Sequence, residues 1–417
     1  SSGINAEYMG ELKKRIRAQN AYNDRADTGL IRAKADIFLK GDEVLAPRLT
    51  FPPIKPRSIK AVHPTVQVHC GVYFDAAFKN LKLVFNEKNP YQVGDWMVTA
   101  AIGSGRNASG LNKWLKTSLA WVKLRDKSLA FIVAGDDFFG LAWVDGQLIV
   151  LENDFSKYDR TQGVHALGCE YMIARALGIK HSVMLILYAA IVAVATYEDK
   201  RTGERYKTPM PTQRATGGPD TTFGNSVNNI VSVFHTLLNG GGLDFPTWQA
   251  KLGLEAKLKR HTNISMGTFL KGWWLPTETG QLCWYPLPSQ AIKAGKIMTC
   301  PTQIFKKLPP TQAWRAAARG MALGFGLVDL DYPLFGAQLK HYLSLSESDF
   351  VIPLESHKIF LDVSVRLDRG AVLELIEQRY NITSIEIQQM EEEISSSPFP
   401  CVLSHPAWLR LVATDYW

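Results

Sequence analysis

SLAFIVAGDDFFGLAWVDGQLIVLEND, residues Ser128–Asp154, holds three short apolar runs separated by two turn signals. Each run is rich in β-branched and aromatic residues and is bounded by Gly or Asp, which predicts three consecutive strands of a buried sheet. Asp145-Gly146 is a strong two-residue hairpin signal, because a type I′ turn needs positive φ at both central positions. Pairing back from that turn sets Val144 against Gln147 and, further along, Asp137 against Asp154, with Asp136 one step away. Directly opposed residues lie about 5 Å apart at Cβ. Adjacent aspartates at Gly135-Asp136-Asp137 are not there for packing, since burying an unpaired carboxylate is costly. Three carboxylates are thus expected at one end of the sheet, and these strands supply no Lys or Arg to neutralise them. Like charges so close repel unless a cation bridges them, and an all-oxygen donor set suits Mg²⁺ or Mn²⁺. Taken alone, Gly-Asp-Asp reads more readily as an ordinary exposed turn.

Upstream, residues 1–127 are basic and mixed. A helix is expected over Glu11–Asn23, a Pro-rich extended run over Ala46–Pro64, and an amphipathic helix over Leu111–Leu124 after the Gly/Ser-rich loop at Gly103–Gly110. Downstream, helical patterns cover about 161–177 and 182–197, and a hairpin follows with Arg201-Thr-Gly203 at its tip. A Gly-rich turn at 216–220 leads into a helix reaching about Leu238. Beyond Lys296 the chain reads mostly helical, with candidates at 311–323 and 371–394. There is no internal repeat and no low-complexity segment.

The bulk numbers exclude more than they assert. A chain of 417 residues suggests two or three lobes, and 46% hydrophobic residues is ordinary for a soluble globular protein. The net charge of +8 favours an anionic partner such as nucleic acid or a membrane surface, although a basic enzyme without a polyanion fits equally well. Five scattered cysteines, with no C-x-x-C, read as reduced thiols of an intracellular protein. No H-E-x-x-H and no P-loop appears, which removes support for zinc hydrolysis and Walker-type ATP use. The polar N-terminal stretch has no apolar core of a signal peptide. Ser182–Tyr197 is shorter than the roughly 20 apolar residues of a span, so a buried helix and no membrane span are expected.

Three motifs give the resemblance. Asp154-Phe-Ser-Lys-Tyr-Asp159 has the D-x₄-D form of polymerase palm motif A. Thr216-Gly-Gly-Pro-Asp-Thr221-Thr-Phe-Gly-Asn225 resembles motif B of viral RNA polymerases, S/T-G-x₃-T-x₃-N. Gly135-Asp136-Asp137 resembles motif C, but it precedes the other two, in the order C–A–B. That order is similar to the permuted palms of permutotetraviruses (the Thosea asigna type) and, more distantly, of birnaviruses, which usually carry Ala-Asp-Asn instead. In an antiparallel palm sheet the motif A strand neighbours the second strand of the motif C hairpin, so an Asp145-Gly146 turn joins them directly.

The resemblance implies an α+β right-hand polymerase of fingers, palm and thumb, with an antiparallel, ferredoxin-like (RRM-like) palm sheet and a mostly helical thumb. It places fingers at 1–127, palm motifs C and A at 128–160, a fingers/palm insertion at 161–210, palm motifs B, D and E at 211–295, and the thumb with a C-terminal tail at 296–417. It implies RNA-dependent RNA synthesis on two Mg²⁺ or Mn²⁺ ions held by Asp136 and Asp154 with Asp137 assisting. Asp159 and Asn225 would pair near the ribose, and Thr216, Gly217, Gly218 and Thr221 would shape the template and nucleotide pocket. Lys40, Lys55, Arg57 and Lys60 resemble motif F, lining nucleotide entry, with a solvated basic loop as the plain alternative. Lys257 and Lys259 resemble motif D, where one lysine protonates pyrophosphate, and Phe269-Leu-Lys-Gly272 resembles motif E. Arg315 and Arg319, four apart on one helix face, either touch duplex phosphates or form a solvated face.

Implied partners are RNA template, nascent RNA, rNTPs and, under one of three initiation modes, a protein primer. The implied location is a replication complex in the host cytoplasm or a virion. Two rivals remain. A reverse transcriptase carries a bulky aromatic where Asp159 stands and Tyr-x-Asp-Asp where this chain has Ala134-Gly-Asp-Asp. A non-catalytic RNA-binding subunit is expected to have lost Asp136, Asp154 or Asn225, and all three are present.

Overall fold

The computed structural model describes residues 35–40, 57–199, 202–208, 213–291, 308–324, 329–345, 365–398 and 403–416. The expected helix at Glu11–Asn23, most of the Pro-rich run and Lys55 lie outside them. The chain divides into two compact units, one within residues 7–104 and 117–262 and the other within 1–6, 105–116 and 263–417.

Along the chain the elements of the first part are β1 (Ala35–Lys40), β2 (Arg57–Val62), α1 (Pro64–Val84), β3 (Pro90–Val93), β4 (Trp96–Ile102), α2 (Ala108–Val122), β5 (Ser128–Ala134), β6 (Asp137–Val144) and β7 (Gln147–Asn153). There follow α3 (Tyr158–Thr161), α4 (Val164–Ala176), α5 (His181–Ile191), β8 (Ala195–Glu198), β9 (Arg205–Thr208), α6 (Thr221–Leu238), α7 (Phe245–Ala250) and β10 (Lys259–His261). The expected meander is present as β5, β6 and β7. It lies inside a six-stranded sheet of order β10-β7-β6-β5-β4-β3. The sheet is mostly antiparallel, as expected, with one parallel pair of neighbours, β4 and β5. All seven positions of β5 are buried, which explains its unbroken apolar run: a strand covered on both faces has no solvent side to mark. Residues of α1, α4, α5 and α6 join the sheet in one apolar core.

Two local expectations need correction. The prolines of the run over 46–64 predict an extended chain as far as Pro64, yet Pro64 opens the long helix α1 at a position where proline's missing N–H costs nothing. His63 caps that helix by accepting from the Thr65 N–H. The helical pattern over 182–197 is also too long. α5 ends at Ile191, and Ala195–Glu198 becomes a strand pairing with β1 in parallel and with β9 in the expected hairpin. A continuous apolar run does not distinguish buried helix from buried strand by periodicity. No helix among the described residues is long and apolar enough to cross a membrane.

The other unit carries a small antiparallel sheet of β11 (Thr268–Phe269), β12 (Gly272–Pro276) and β13 (Leu282–Pro286). Leu270 and Lys271, both at positive φ, make the tight turn between β11 and β12. Trp273 and Trp274 are core residues, and Trp273 Nε1 donates to Tyr332 Oη at 3.1 Å. Helices α8 (Pro310–Gly324), α9 (Phe335–Ser344), α10 (Arg369–Tyr380), α11 (Ser384–Ser396) and α12 (Ala407–Tyr416) follow. The single helix expected at 371–394 is in fact two, because Asn381 adopts the left-handed conformation and Thr383 with Glu386 forms a capping box. On α8, Arg315 is exposed and Arg319 half-buried.

Candidate functional site

The site grows from two turns and one helix. The β5–β6 ladder closes at Ala134 against Asp137, leaving Gly135-Asp136 as a two-residue turn with Gly135 at φ +68°. Positive φ at the first central residue is the type II′ pattern, which requires glycine there. At the far end of β6, Asp145 (φ 51°) and Gly146 (φ 75°) make the expected type I′ turn. The β6–β7 ladder then runs from Val144 against Gln147 to Phe138 against Asn153. Asp137 and Asp154 are therefore the next step beyond its last rung, in the register read from the sequence. Asp136 and Asp137 are half-buried, whereas Asp154 is exposed.

The carboxylates themselves do not converge as expected. Among the described residues no three His, Cys, Asp or Glu side chains are gathered to hold a metal ion. Asp154 turns one oxygen back onto the Phe155 N–H at 2.8 Å, and its carbonyl accepts from the Lys257 N–H at 2.8 Å.

Beyond Asp154 the chain turns through Lys157, at positive φ, into the short helix α3. Phe155 and Tyr158 stack with ring centroids 4.5 Å apart, and Tyr158 Oη donates to the Asn225 carbonyl at 3.1 Å. Burial pushes the Tyr158 phenol well above its ordinary range, and the charges of Asp136 and Asp159 add to the effect. The Gly-Asp-Asp turn and the D-x₄-D segment thus share one electrostatic neighbourhood.

Helix α6 closes the site from behind with a buried polar row: Asn225, Ser226, Asn228, Asn229 and Ser232. The Gly135 N–H donates to Ser226 Oγ at 3.1 Å, and Asn229 Nδ2 reaches the Gly135 and Asp136 carbonyls at 3.2 and 3.3 Å. Asn225 Nδ2 donates to Asp159 Oδ1 at 2.9 Å, the pairing expected from the sequence. Ahead of the helix, Thr221 Oγ1 lies within bonding distance of the Ala215, Thr216 and Gly218 carbonyls and ties the turn together. The Gly217 N–H donates to the Lys60 carbonyl at 2.9 Å. A Cβ on Gly217 would stand 3.0 Å from Ala61 Cα, tighter than an ordinary contact, and one on Gly218 would collide with the Asp220 carboxylate.

Under this surface lies an ionic cluster that the sequence reading missed. Arg214, 1% exposed, donates from Nη1 to Asp220 Oδ2 at 2.7 Å, from Nη2 to Glu170 Oε2, and from Nε to Gln162 Oε1 at 2.6 Å. Burial raises both the Glu170 and Asp220 carboxyls above their ordinary values, against the pull of Arg214. Gly224 makes room for the cluster, since a Cβ there would overlap both the Arg214 guanidinium and the Glu170 carboxylate. The available signal was the density of Asn and Ser within an otherwise apolar helix, Asn225–Ser232, which implies buried polar partners on neighbouring segments.

The basic candidates separate. Lys40 and Arg57 are cross-strand partners in the β1–β2 ladder. Lys60, expected on an open nucleotide path, is instead buried, and its ammonium donates to the Ile191 carbonyl at the end of α5. A helix C-terminus attracts a cation, which accounts for the placement, and burial lowers the Lys60 pKa. Lys257 is exposed on an irregular segment bridged to Phe155. Lys259 lies on β10 and pairs with Glu152 at 3.2 Å.

Residues 130–240 match a protein-family model described as RNA dependent RNA polymerase. That segment includes the Gly-Asp-Asp turn, Asp154–Asp159 and Thr216–Asn225. The chain is 24% identical over 148 residues to the non-structural polyprotein pORF1 of hepatitis E virus genotype 3, in a swine and a human isolate. Those alignments cover 32% of this chain and 8% of either polyprotein. Among solved structures it is similar to the RNA polymerase VP1 of infectious pancreatic necrosis virus, at 12% identity and a TM-score of 0.48. It is also similar to the birnavirus VP1–VP3 complex, at 11% identity and a TM-score of 0.49. Each comparison covers 86% of this chain, and 54% and 59% of the solved chains.

Proposed function

We propose that the chain is a viral RNA-dependent RNA polymerase, transferring a nucleoside monophosphate from an rNTP to an RNA 3′-hydroxyl as an RNA template directs. One observation carries the reading. Helix α6 holds the Gly135-Asp136 turn through Ser226 and Asn229 and holds Asp159 through Asn225, so three segments far apart in sequence meet at one place. The match of residues 130–240 to the polymerase family model supports it. The motif order is then C–A–B, the permuted arrangement of the Thosea asigna type.

The donor chemistry fits a pair of hard divalent ions: every candidate ligand is a carboxylate, set at adjacent strand ends. Asp136 and Asp154 would hold Mg²⁺ or Mn²⁺, with Asp137 assisting. Bound there, such ions would supply acidification of the primer hydroxyl and neutralisation of charge on the phosphates and the departing oxygen. Asp159 and Asn225 accept and orient the ribose 2′-hydroxyl, and a site built to bond a hydroxyl rejects a sugar lacking it. Thr216, Gly217, Gly218 and Thr221 form the rigid turn beside template and nucleotide. Lys40, Lys55 and Arg57 line nucleotide entry, while Lys60 braces the Gly217 turn from beneath through its carbonyl. Lys257 or Lys259 protonates the pyrophosphate, Lys259 being already paired with Glu152. The Phe269–Gly272 turn supports the primer end and Arg315 the duplex phosphates. Fingers at 1–127, palm segments at 128–160 and 211–295, an insertion at 161–210 and a thumb from 296 complete the proposed division. RNA and rNTPs are the proposed partners, with a protein primer under one of three initiation modes, in a replication complex of the host cytoplasm or in a virion.

The test is primer extension on an RNA template with Mg²⁺ or Mn²⁺. Wild type extends with rNTPs, and Asp136→Ala and Asp154→Ala each abolish synthesis while RNA binding survives. Undiminished synthesis by both variants would show that the metal site lies elsewhere.

A further inference from the structure

Asn225 presents two chemically opposite ends, and only one of them can face Asp159 productively. Its Nδ2 donates to Asp159 Oδ1 at 2.9 Å, while its Oδ1 accepts from Gln162 Nε2 at 2.8 Å. Gln162 is fully buried and is itself an amide that could be turned either way round. Its orientation is settled by its other end, where Oε1 accepts from Arg214 Nε at 2.6 Å and from Asn228 Nδ2 at 2.9 Å. A guanidinium has no acceptor, so the oxygen of Gln162 must face Arg214 and its nitrogen must face Asn225. The relay of donors therefore begins at a group that only donates and ends at a carboxylate that only accepts.

We propose that Gln162 is a positioning residue for sugar selection, locking the Asn225 amide so that its donor faces Asp159. The inference rests on the polymerase reading, in which Asp159 and Asn225 meet the 2′-hydroxyl. A carboxylate offers about four lone-pair sites, so Asp159 accepts from Asn225 and still has capacity for a sugar hydroxyl. Asn225 in the reverse orientation would set its own oxygen against the Asp159 carboxylate and break the pair apart. Gln162 touches neither nucleotide nor metal in this scheme. Its effect is exerted entirely through the direction in which Asn225 points.

The experiment is single-nucleotide incorporation on an RNA primer–template, comparing kcat/KM for an rNTP and the matching dNTP in wild type, Gln162→Glu and Gln162→Met. The carboxylate introduced by Gln162→Glu keeps the contacts to Arg214 and Asn228 but has no donor for Asn225, which then reverses to donate to it. The expected result is a fall in the rNTP-to-dNTP ratio of at least about tenfold in Gln162→Glu, since losing one bond to a recognised hydroxyl removes part of a discrimination that can reach about 10⁴. The fall comes from rNTP, with dNTP incorporation little changed. Gln162→Met, similar in volume and unable to bond, should lower the ratio less, because Asn225 then samples both orientations. Equal losses for rNTP and dNTP in both variants, with the ratio preserved, would reduce Gln162 to a structural role and overturn the proposal. A wild-type protein that extends no RNA primer refutes the polymerase reading instead, so the two failures are distinct.

Discussion

Asn229 Nδ2 lies 3.2 Å from the Gly135 carbonyl, across the gap between helix α6 and the turn that carries Asp136. The same amide reaches the Asp136 carbonyl at 3.3 Å, so one side chain spans both residues of the turn. A two-residue turn at a sheet end has few backbone bonds of its own, and this one is anchored by a helix distant in sequence. Asn229→Leu keeps the approximate volume and removes the donor, leaving two carbonyls without it. We expect a loss of about 1–3 kcal/mol in denaturant unfolding. Nucleotide incorporation should fall at least about tenfold in single-turnover measurements, because a misplacement of about 1 Å at a reacting centre can cost a hundredfold. Undisturbed turnover would show that the turn holds its shape without α6.

Asp159→Ala should act on selectivity. The Asn225 amide then loses its acceptor at 2.9 Å, and the site loses the carboxylate that meets the 2′-hydroxyl. The rNTP-to-dNTP ratio is expected to fall by orders of magnitude, toward the level of a pocket that merely tolerates a hydroxyl, about 10² or less. Metal titration of the variant should change far less than in Asp136→Ala. A ratio equal to wild type would place the sugar contact on other residues.

Arg214 tests the structural floor beneath the site. Its guanidinium bridges Glu170 and Asp220, and all three side chains are completely buried. Removing one member of a buried ion pair strands the others, at a cost of about 3–5 kcal/mol. Arg214→Met is therefore expected to lower the unfolding free energy by that amount, read by urea denaturation. Gly224→Ala should weaken the same cluster, because its methyl occupies the space of the guanidinium and the Glu170 carboxylate. If both variants unfold as wild type does, the cluster is not a stabilising element.

The parts of the site legible in the sequence were those set by local chemistry. Asp145-Gly146 admits one tight turn, and that turn alone fixes which residue of β7 meets which residue of β6, down to Asp137 and Asp154. The Asp159–Asn225 pair was legible because two motifs of fixed spacing implied it. Lys60 was misread because a lysine in a basic stretch looks solvated, and only the packing of α5 brings a helix C-terminus over it. Arg214 and Glu170 were missed for a related reason: they are 44 positions apart, and the Asn- and Ser-rich run of α6 signals buried polar partners without naming them. Register did not suffice for carboxylate convergence, because strand pairing sets Cα positions and not side-chain directions, and no three such side chains gather among the described residues.

The pH dependence of stability should centre on Glu170. Burial raises its carboxyl, the neighbouring Asp220 adds to the rise, and Arg214 opposes it. A raised carboxyl binds its proton more tightly in the folded chain than in the unfolded one. Its contribution to stability is therefore complete below the ordinary glutamate range and is lost as pH rises through the raised native value. Glu170→Gln imitates the protonated form permanently, with an oxygen for Arg214 and an N–H for Asp220. The variant should match wild type below the ordinary glutamate range and become the more stable of the two as pH rises from there to the raised native value, in thermal melts taken at a series of pH values. Parallel melting curves for the two proteins across that range would show that Glu170 is ionised throughout, with Arg214 alone sufficient to hold its charge.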